Sequence, residues 1–512
     1  MDSDRPLDLR LVPAAATGWA VTATTTLWHA GAAVLVTLVA LALTAAAAWW
    51  AGGRGDLGEA LRTAGAGLAA VAAVGAAFTV AAAVRTHQVD DHPVAALYGR
   101  TASVTVTPAE SPRSLGGGRL MFRGTLQAVD GRPSSGRVVA FASVSGFADL
   151  TAGRPATFRA RVGAPDRRDL TVAVLSATGE PTLGEASAVQ RAAHGIRTGF
   201  AAQARRVLPP DQAAMLPALV LGDTSAVTAS TTADFRAAGL THLTAVSGAN
   251  VTIVCGAVLF SAGVLGPRTA VLLAALVLLA FVVVVQPSAS VLRAAVMGAI
   301  TLLAVVSHRR RHAVPALAGS VVALLIGAPE LAVDVGFALS VSATAALIVL
   351  APVWSRRLVA RGWPKPLADA TSVAVAAQLV TAPLVAGISG TLSMVSIAAN
   401  LVVAAVIPPI TVLGTAAAAL CPLWPAGGQL LIRFTGPELW WLLNVARCAA
   451  GVPGAAVTVP SGLPGVGVVA FGGLALVICW RLRWVRVACA GAAVCLLAWT
   501  LAGHAAVDVR TA

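Results

Sequence analysis

Polar residues interrupt four apolar segments in the second half of this chain. The segments read GLTHLTAVSGANVTIVCG (239–256), QPSASVLRAAVMG (286–298), DVGFALSVSATA (334–345) and TAPLVAGISGTLSMVSIAAN (381–400). Polar side chains inside a membrane are costly, and they usually face a cavity or a partner helix. Hydroxyls, amides, an arginine and the N–H groups of broken helices can hold a passing anion weakly. The residues predicted to line such a path are Ser247, Gly248, Asn250, Ser290, Arg293, Asp334, Ser340, Ser396 and Asn400.

Helix packing is the alternative interpretation of these residues. Small residues let helices approach closely, and hydroxyls can bond back to carbonyls of their own helix. Arg293 is harder to explain in this way: it either extends outward to the membrane surface or pairs with an acid such as Asp334. Because four such segments occur together, we favour a shared polar interior.

The motifs of common enzyme classes are absent from the sequence. It contains no H-E-x-x-H, G-x-x-x-x-G-K-[ST] or G-x-S-x-G motif, and its 8 histidines are scattered. The 6 cysteines include no C-x-x-C pair. We therefore expect no enzymatic activity, no metal site and no cofactor.

The composition is that of a membrane protein. Of 512 residues, 57% are hydrophobic and only 11% are charged, whereas soluble domains carry about 25% charged residues. The net charge is +14, and Lys365 is the only lysine. This positive charge has two possible explanations: cytoplasmic anchoring of basic loops, or contact with a polyanion such as nucleic acid.

The apolar segments predict a mainly α-helical protein with about 11 membrane passes and short re-entrant or interfacial helices. Four regions follow: N-terminal transmembrane helices (1–85), a β domain (86–186), amphipathic interfacial helices (187–242) and a transmembrane channel domain (243–512). A turn is expected near WHAG (28–31), and a break at IPPI (407–410). The amphipathic segment GPELWWLLNVAR (436–447) carries paired tryptophans, as interfacial helices do.

Basic loops predict the orientation of the chain. The segments SHRRRH (307–312), RRLVARGWPK (356–365) and RLRWVR (481–486) fall on one side under this pass count. Positive loops are typically cytoplasmic. We therefore expect a cell-membrane protein whose β domain and C-terminus lie outside.

The β domain is predicted from five alternating segments separated by Gly/Pro-rich turns, which fit a small OB-type barrel. Its phenylalanines Phe122, Phe141 and Phe158 could stack on bases, although alternation favours a place in the barrel core. Its basic residues could bind phosphates without sequence preference, or could simply form a solvated face. These candidate DNA-binding residues are Arg119, Arg123, Arg137, Arg159 and Arg161.

The segment ALVLGDTSAVTASTTADFRAAGLTHLTAVSGANVTIV (218–254) resembles the signature of the competence domain of the ComEC family. The segments PSASVLRAAVMG, DVGFALSVSATA, TAPLV and SIAANLVV follow in the order found in that family. The N-terminal DLRLVPAA, the leading spans and the OB-like domain are also similar, so the resemblance covers nearly the whole chain.

The resemblance implies a multi-pass channel that takes up single-stranded DNA across the cytoplasmic membrane during natural transformation. Its expected partners are a DNA receptor outside and a motor ATPase inside. Many family members end in a metallo-β-lactamase-type nuclease domain, opening with a strand similar to D-V-G-Q-G-D; here Asp508-Val509 is followed by Arg510. A separate nuclease is therefore expected. The alternative is a membrane scaffold or small-solute transporter without DNA transport.

Overall fold

Two units, each assembled from two separate stretches of chain, make up the computed structural model: 1–199 with 247–341, and 200–246 with 342–512. The structure describes residues 8–51, 56–147, 150–244, 246, 248–286, 289–306 and 313–479. The helices are α1 Val12–Trp28, α2 Gly31–Ala51, α3 Asp56–Asp90, α4 Val144–Phe147, α5 Ala188–Val207, α6 Pro210–Leu221, α7 Ala229–Ala237, α8 Gly248–Ser261, α9 Pro267–Val285, α10 Ala289–Val306, α11 Ala313–Gly327, α12 Val335–Val359, α13 Lys365–Ser389, α14 Ser396–Val403, α15 Ile407–Leu420, α16 Pro425–Phe434, α17 Gly436–Ala450 and α18 Leu463–Cys479. The strands are β1 Thr101–Pro108, β2 Arg113–Gly116, β3 Arg119–Val129, β4 Arg132–Ser143, β5 Ala156–Gly163, β6 Thr171–Leu183, β7 Thr391–Ser393 and β8 Ala456–Thr458.

The fold is mainly helical, as the composition predicts. Within the described residues, 5 helices are long and apolar enough to cross a membrane: Gly58–Leu97, Gly248–Leu265, Pro267–Val285, Val335–Val359 and Lys365–Ser389. Shorter apolar helices cover Gly31–Ala47, Ser290–Leu303, Ala313–Gly327 and Leu463–Ala475. The basic loops 307–312 and 481–486 lie outside the described residues, and so does the segment 487–503, which the sequence predicts as the last of the passes. The count of about 11 passes stays a prediction.

A broken pair of helices lies where the sequence predicts short or re-entrant segments. The helices α14 and α15 are bent by 56° relative to each other, and the pair passes the same length and hydropathy test as a single span. The break precedes Pro408 and Pro409, which occupy the first turn of α15. Prolines are tolerated there because a first-turn N–H has no intrahelical partner.

The weakly apolar α1 is packed inside the first unit. The chain turns at His29, whose left-handed conformation (φ 53°) ends α1 where the WHAG turn was predicted. The indole nitrogen of Trp19 donates to the carbonyl of Ala332 at 2.8 Å, and its ring meets Phe337 edge-on at 5.2 Å. The buried Thr22 and Thr26 donate to carbonyls four residues earlier, so these two hydroxyls are satisfied within the helix.

Five strands close into a barrel in the order β1–β3–β4–β6–β5–β1, with β4 and β6 parallel and the other pairs antiparallel. The short β2 pairs with β3 at the edge. Alternate residues of each strand point inward, as the period-two pattern predicts, and form one apolar core. The rings of Phe122, Phe147 and Phe158 lie 5.2–6.3 Å apart in that core. The core alternative for Phe122 and Phe158 is therefore the observed one, whereas Phe141 faces outward.

In the second unit, α6 differs from the amphipathic helix expected over this region. Every residue from Met215 to Leu221 is buried, and α6 packs against α15 and α17. A helix that is apolar on all sides belongs in a protein interior rather than at an interface. The amphipathic interfacial helix predicted for 436–447 agrees better with α17. This helix buries Leu439 and Leu442 on one face and exposes Trp440 and Trp441 on the other.

Candidate functional site

The outer face of strands β3 and β4 carries basic and apolar side chains together. Strand alternation places Arg119, Met121 and Arg123 on this face of β3, beside Arg137 and Phe141 of β4. The guanidinium carbon of Arg119 lies 5.9 Å from the centre of the Phe141 ring, within range of a cation–π interaction. Aromatic rings next to arginines suit single-stranded nucleic acid, because bases stack while phosphates bind the cations.

The structure separates the five candidate arginines into two groups. Arg159 and Arg161 lie on the outer face of β5, opposite Ser103 and Thr101 of β1, and both are exposed. Strand β6 stands between β5 and β4 in the barrel. The five arginines therefore do not form one surface, although all of them were predicted as phosphate contacts.

Arg137 differs from the other members of its face because it is paired. A terminal nitrogen of Arg137 lies 2.6 Å from a carboxylate oxygen of Glu330, in the 3-10 helix Pro329–Val333. Burial lowers the pKa of the Arg137 guanidinium, while the negative charge of Asp169 acts in the opposite direction. Arg137 thus anchors the barrel to the rest of the first unit, and Arg119 and Arg123 remain as the basic residues of this face.

Two loops of the barrel contact helices of the same unit. In the loop between β1 and β2, the backbone N–H and hydroxyl of Ser111 lie 3.1 Å from the side-chain oxygen of Gln286. In the loop between β5 and β6, Arg168 donates to the carbonyl of Leu27 at the end of α1. OB-type barrels bind oligonucleotides with these two loops and the neighbouring strand face. The outer face of β3 and β4 is therefore flanked by loops that contact the helices of the first unit.

The junction of α9 and α10 is held by side chains that come from other elements. Arg197 of α5 is buried and donates to the carbonyls of Val284 and Val285 at 3.2 and 3.3 Å. A cation at this position complements the negative end of α9. Gln286 follows in a positive-φ conformation (74°). Pro287 and Ser288 lie outside the described residues.

Arg293 lies in the interior of the first unit. Its residue is only 4% exposed, its Nε donates to the hydroxyl of Ser340 at 2.9 Å, and its Nη1 lies 3.2 Å from the sulfur of Met297. Its Nη2 lies 3.2 Å from where a Cβ on Gly248 would stand. The structure thus brings together three of the predicted path residues, Gly248, Arg293 and Ser340.

Neither sequence-based expectation for Arg293 describes its position. It does not reach outward, and among the described residues no carboxylate lies within ion-pair distance. Asp334 instead caps α12 by accepting the backbone N–H of Phe337 at 2.7 Å. Of the other candidates in this unit, Asn250 is buried in α8 and Ser290 is half-buried in the first turn of α10. Ser247 lies outside the described residues.

The second unit has a separate polar cluster. Ser396 is buried and donates to the side-chain oxygen of Gln378 at 3.0 Å, and Asn400 donates to Ser396 at 2.8–3.2 Å. The hydroxyl of Ser393 donates to the carbonyl of Ala237, near the end of α7. At the following turn, Gly239 has a φ of 72°, and a Cβ there would stand 2.5 Å from that of Ser396.

Several residues of these sites were not predicted from the sequence. They are Ser111, Arg197, Gln286, Glu330 and Gln378. A signal for Gln286 was present, since it is a polar residue directly between an apolar run and a proline. Glu330 carries no comparable signal in the sequence. Among the described residues, no three His, Cys, Asp or Glu side chains come close enough to hold a metal ion.

Comparison with known proteins gives a match to a protein family. A family model described as "Competence protein" matches residues 219–484. This range contains the Arg293 site, the cluster around Ser396 and the signature segment except for its first residue. No curated protein and no solved structure matches the chain.

Proposed function

Because this chain belongs to the competence protein family, we propose that it is a multi-pass membrane channel for the uptake of single-stranded DNA in natural transformation. The observation that carries the proposal is the outer face of β3 and β4, where Arg119 and Arg123 accompany Phe141. This combination offers stacking and phosphate contacts without selecting a base sequence.

The position of this face in the barrel supports a route for the single strand of DNA. From Arg119 to Thr125, the β3 neighbour of Arg137, the face runs about 20 Å along the strand. At the Arg137 end the face meets Glu330, and the loop carrying Ser111 contacts Gln286. Arg293 lies seven residues further along the chain from Gln286, in α10. A DNA strand guided along the barrel would thus arrive at the junction of α9 and α10.

The orientation and partners belong to the same proposal. We place the β domain outside the cell membrane and the basic segment 356–365 inside. A DNA receptor would then deliver the strand outside, and a motor ATPase would draw it inward. A separate nuclease would degrade the second strand.

A transformation assay in a strain deleted for this gene tests the proposal. The parental chain should restore transformation, and Arg119→Glu/Arg123→Glu should lower it at least tenfold at equal protein level in the membrane. The matched control is Arg159→Glu/Arg161→Glu, which changes the net charge by the same amount on another face.

Three outcomes are informative. A larger defect in the first variant supports the β3–β4 face as the DNA contact. Equal defects would mean that only net charge matters. Full transformation by a strain lacking the gene would refute the channel and favour a scaffold or small-solute transporter.

A further inference from the structure

Arg293 is almost fully buried, yet among the described residues no carboxylate neutralises its charge. Its hydrogen-bond partners are the hydroxyl of Ser340 and the sulfur of Met297, both uncharged. Within the described part of the chain, no carboxylate is within 4 Å of it and its Nη2 has no acceptor. Buried arginines are ordinarily paired, because an uncompensated charge in a low-dielectric interior is unfavourable.

The Nη2 atom of Arg293 lies beside the beginning of a helix. It lies 3.2 Å from the position that a Cβ on Gly248 would occupy, and α8 begins at Gly248 and continues for 14 residues. The first N–H groups of a helix lack intrahelical partners, and this end carries partial positive charge. Two positive groups therefore face each other, and the absence of a side chain at Gly248 leaves the backbone between them uncovered.

We infer that Arg293 and the N-terminus of α8 form a binding site for a tetrahedral oxyanion of the phosphate class. The planar guanidinium and the backbone N–H groups are the donors that bind phosphate oxygens in proteins, and an anion there would relieve the repulsion between them. The hydroxyl of Ser340 orients the guanidinium through Nε, so Ser340 is a positioning residue.

The phosphate group could come from two sources. One is the phosphodiester of a DNA strand passing through the membrane, and this source rests on the proposed function. The other is free inorganic phosphate held as a structural ion. Both present the same oxygens to Arg293, so the site itself does not depend on DNA transport.

The site can be tested on the purified full-length chain in lipid nanodiscs. Thermal unfolding is measured with increasing inorganic phosphate, and with chloride at equal ionic strength. Phosphate should raise the unfolding midpoint by several degrees beyond chloride. This shift should be lost in Arg293→Gln and reduced in Gly248→Ala, whose methyl group would stand beside the guanidinium. Gly256→Ala is the matched control, because it lies in the same helix with nothing within 4 Å of the added methyl.

The parental and Gly256→Ala chains should respond alike. Equal stabilisation of the parental chain by phosphate and chloride would overturn the inference. A full phosphate shift in Arg293→Gln would also overturn it. Because Arg293→Gln could fold poorly, Gly248→Ala provides a second and milder test of the same site.

Two further arms identify the source of the phosphate group. In the transformation assay, a defect in Gly248→Ala but not in Gly256→Ala assigns the site to the DNA strand. Normal transformation by Gly248→Ala, together with a lost phosphate shift, assigns it to free phosphate. If the parental chain binds phosphate but supports no transformation, the proposed function fails while the anion site stands.

Discussion

Replacing Arg119 and Arg123 together by glutamine should weaken the salt dependence of single-stranded DNA binding. Both side chains lie on the outer face of β3, and no salt bridge within the described residues engages either of them. Each arginine that meets a phosphate of a single strand contributes about 0.7 to the slope of log K against log salt. Two such contacts therefore contribute about 1.4, or an affinity change of about 25-fold for a tenfold change in salt.

Fluorescence anisotropy of a labelled oligothymidylate can measure this slope, with the full-length chain in nanodiscs between 0.05 and 0.5 M salt. The control is Arg137→Gln/Glu330→Gln, which removes both members of an existing ion pair and leaves the net charge unchanged. We expect the control to keep the parental slope. If the Arg119/Arg123 variant also keeps it, or if the control loses as much, the assignment of DNA contact to this face is wrong.

Three further predictions concern orientation and stability. In a background without native cysteines, Ser134→Cys should react with a membrane-impermeant reagent from outside, whereas Arg361→Cys should be protected; the reverse pattern contradicts the proposed topology. Gly239→Ala should lower stability by more than the cost of about 1–2 kcal/mol for a left-handed alanine, because its methyl group also meets Ser396. The control Gly362→Ala, where φ is 90° and the added methyl meets open space, should show that cost alone. Equal unfolding midpoints of the two variants would refute the packing argument. Phe122→Ala should destabilise the chain by about 3–5 kcal/mol, because its ring lies in the barrel core. Phe141→Ala should keep the parental unfolding midpoint and weaken oligothymidylate binding. The opposite result would show that the two rings have been assigned to the wrong sides of the barrel wall.

The features that sequence predicts well are those encoded by local periodicity. Alternation in the β domain predicts which side of each strand is buried; the core position that it favours is observed for Phe122 and Phe158, whereas Phe141 faces outward. Long apolar runs predict membrane helices because a span needs about 20 such residues. The turn at His29 and the break before α15 were predictable for the same reason, since local residues interrupt these runs.

The partners of polar residues could not be predicted, because they depend on which elements meet in space. The five candidate arginines look alike in the sequence, and only the strand order of the barrel separates Arg159 from Arg123. Arg293 and Ser340 are 47 residues apart, and no pattern links them more closely than Arg293 and Asp334. Likewise, the burial of α6 depends on α15 and α17, which follow much later in the chain.

The contact of Arg197 with the end of α9 limits the order in which the chain can assemble. Its acceptors, Val284 and Val285, follow it by 87 and 88 residues, and the segment 200–246 of the other unit is synthesised in between. Arg197 therefore cannot reach these carbonyls until α8 and α9 have been synthesised. The closing of this long loop would join the two stretches of the first unit during synthesis, and a chain stalled before Val285 would leave the junction with α10 unmade.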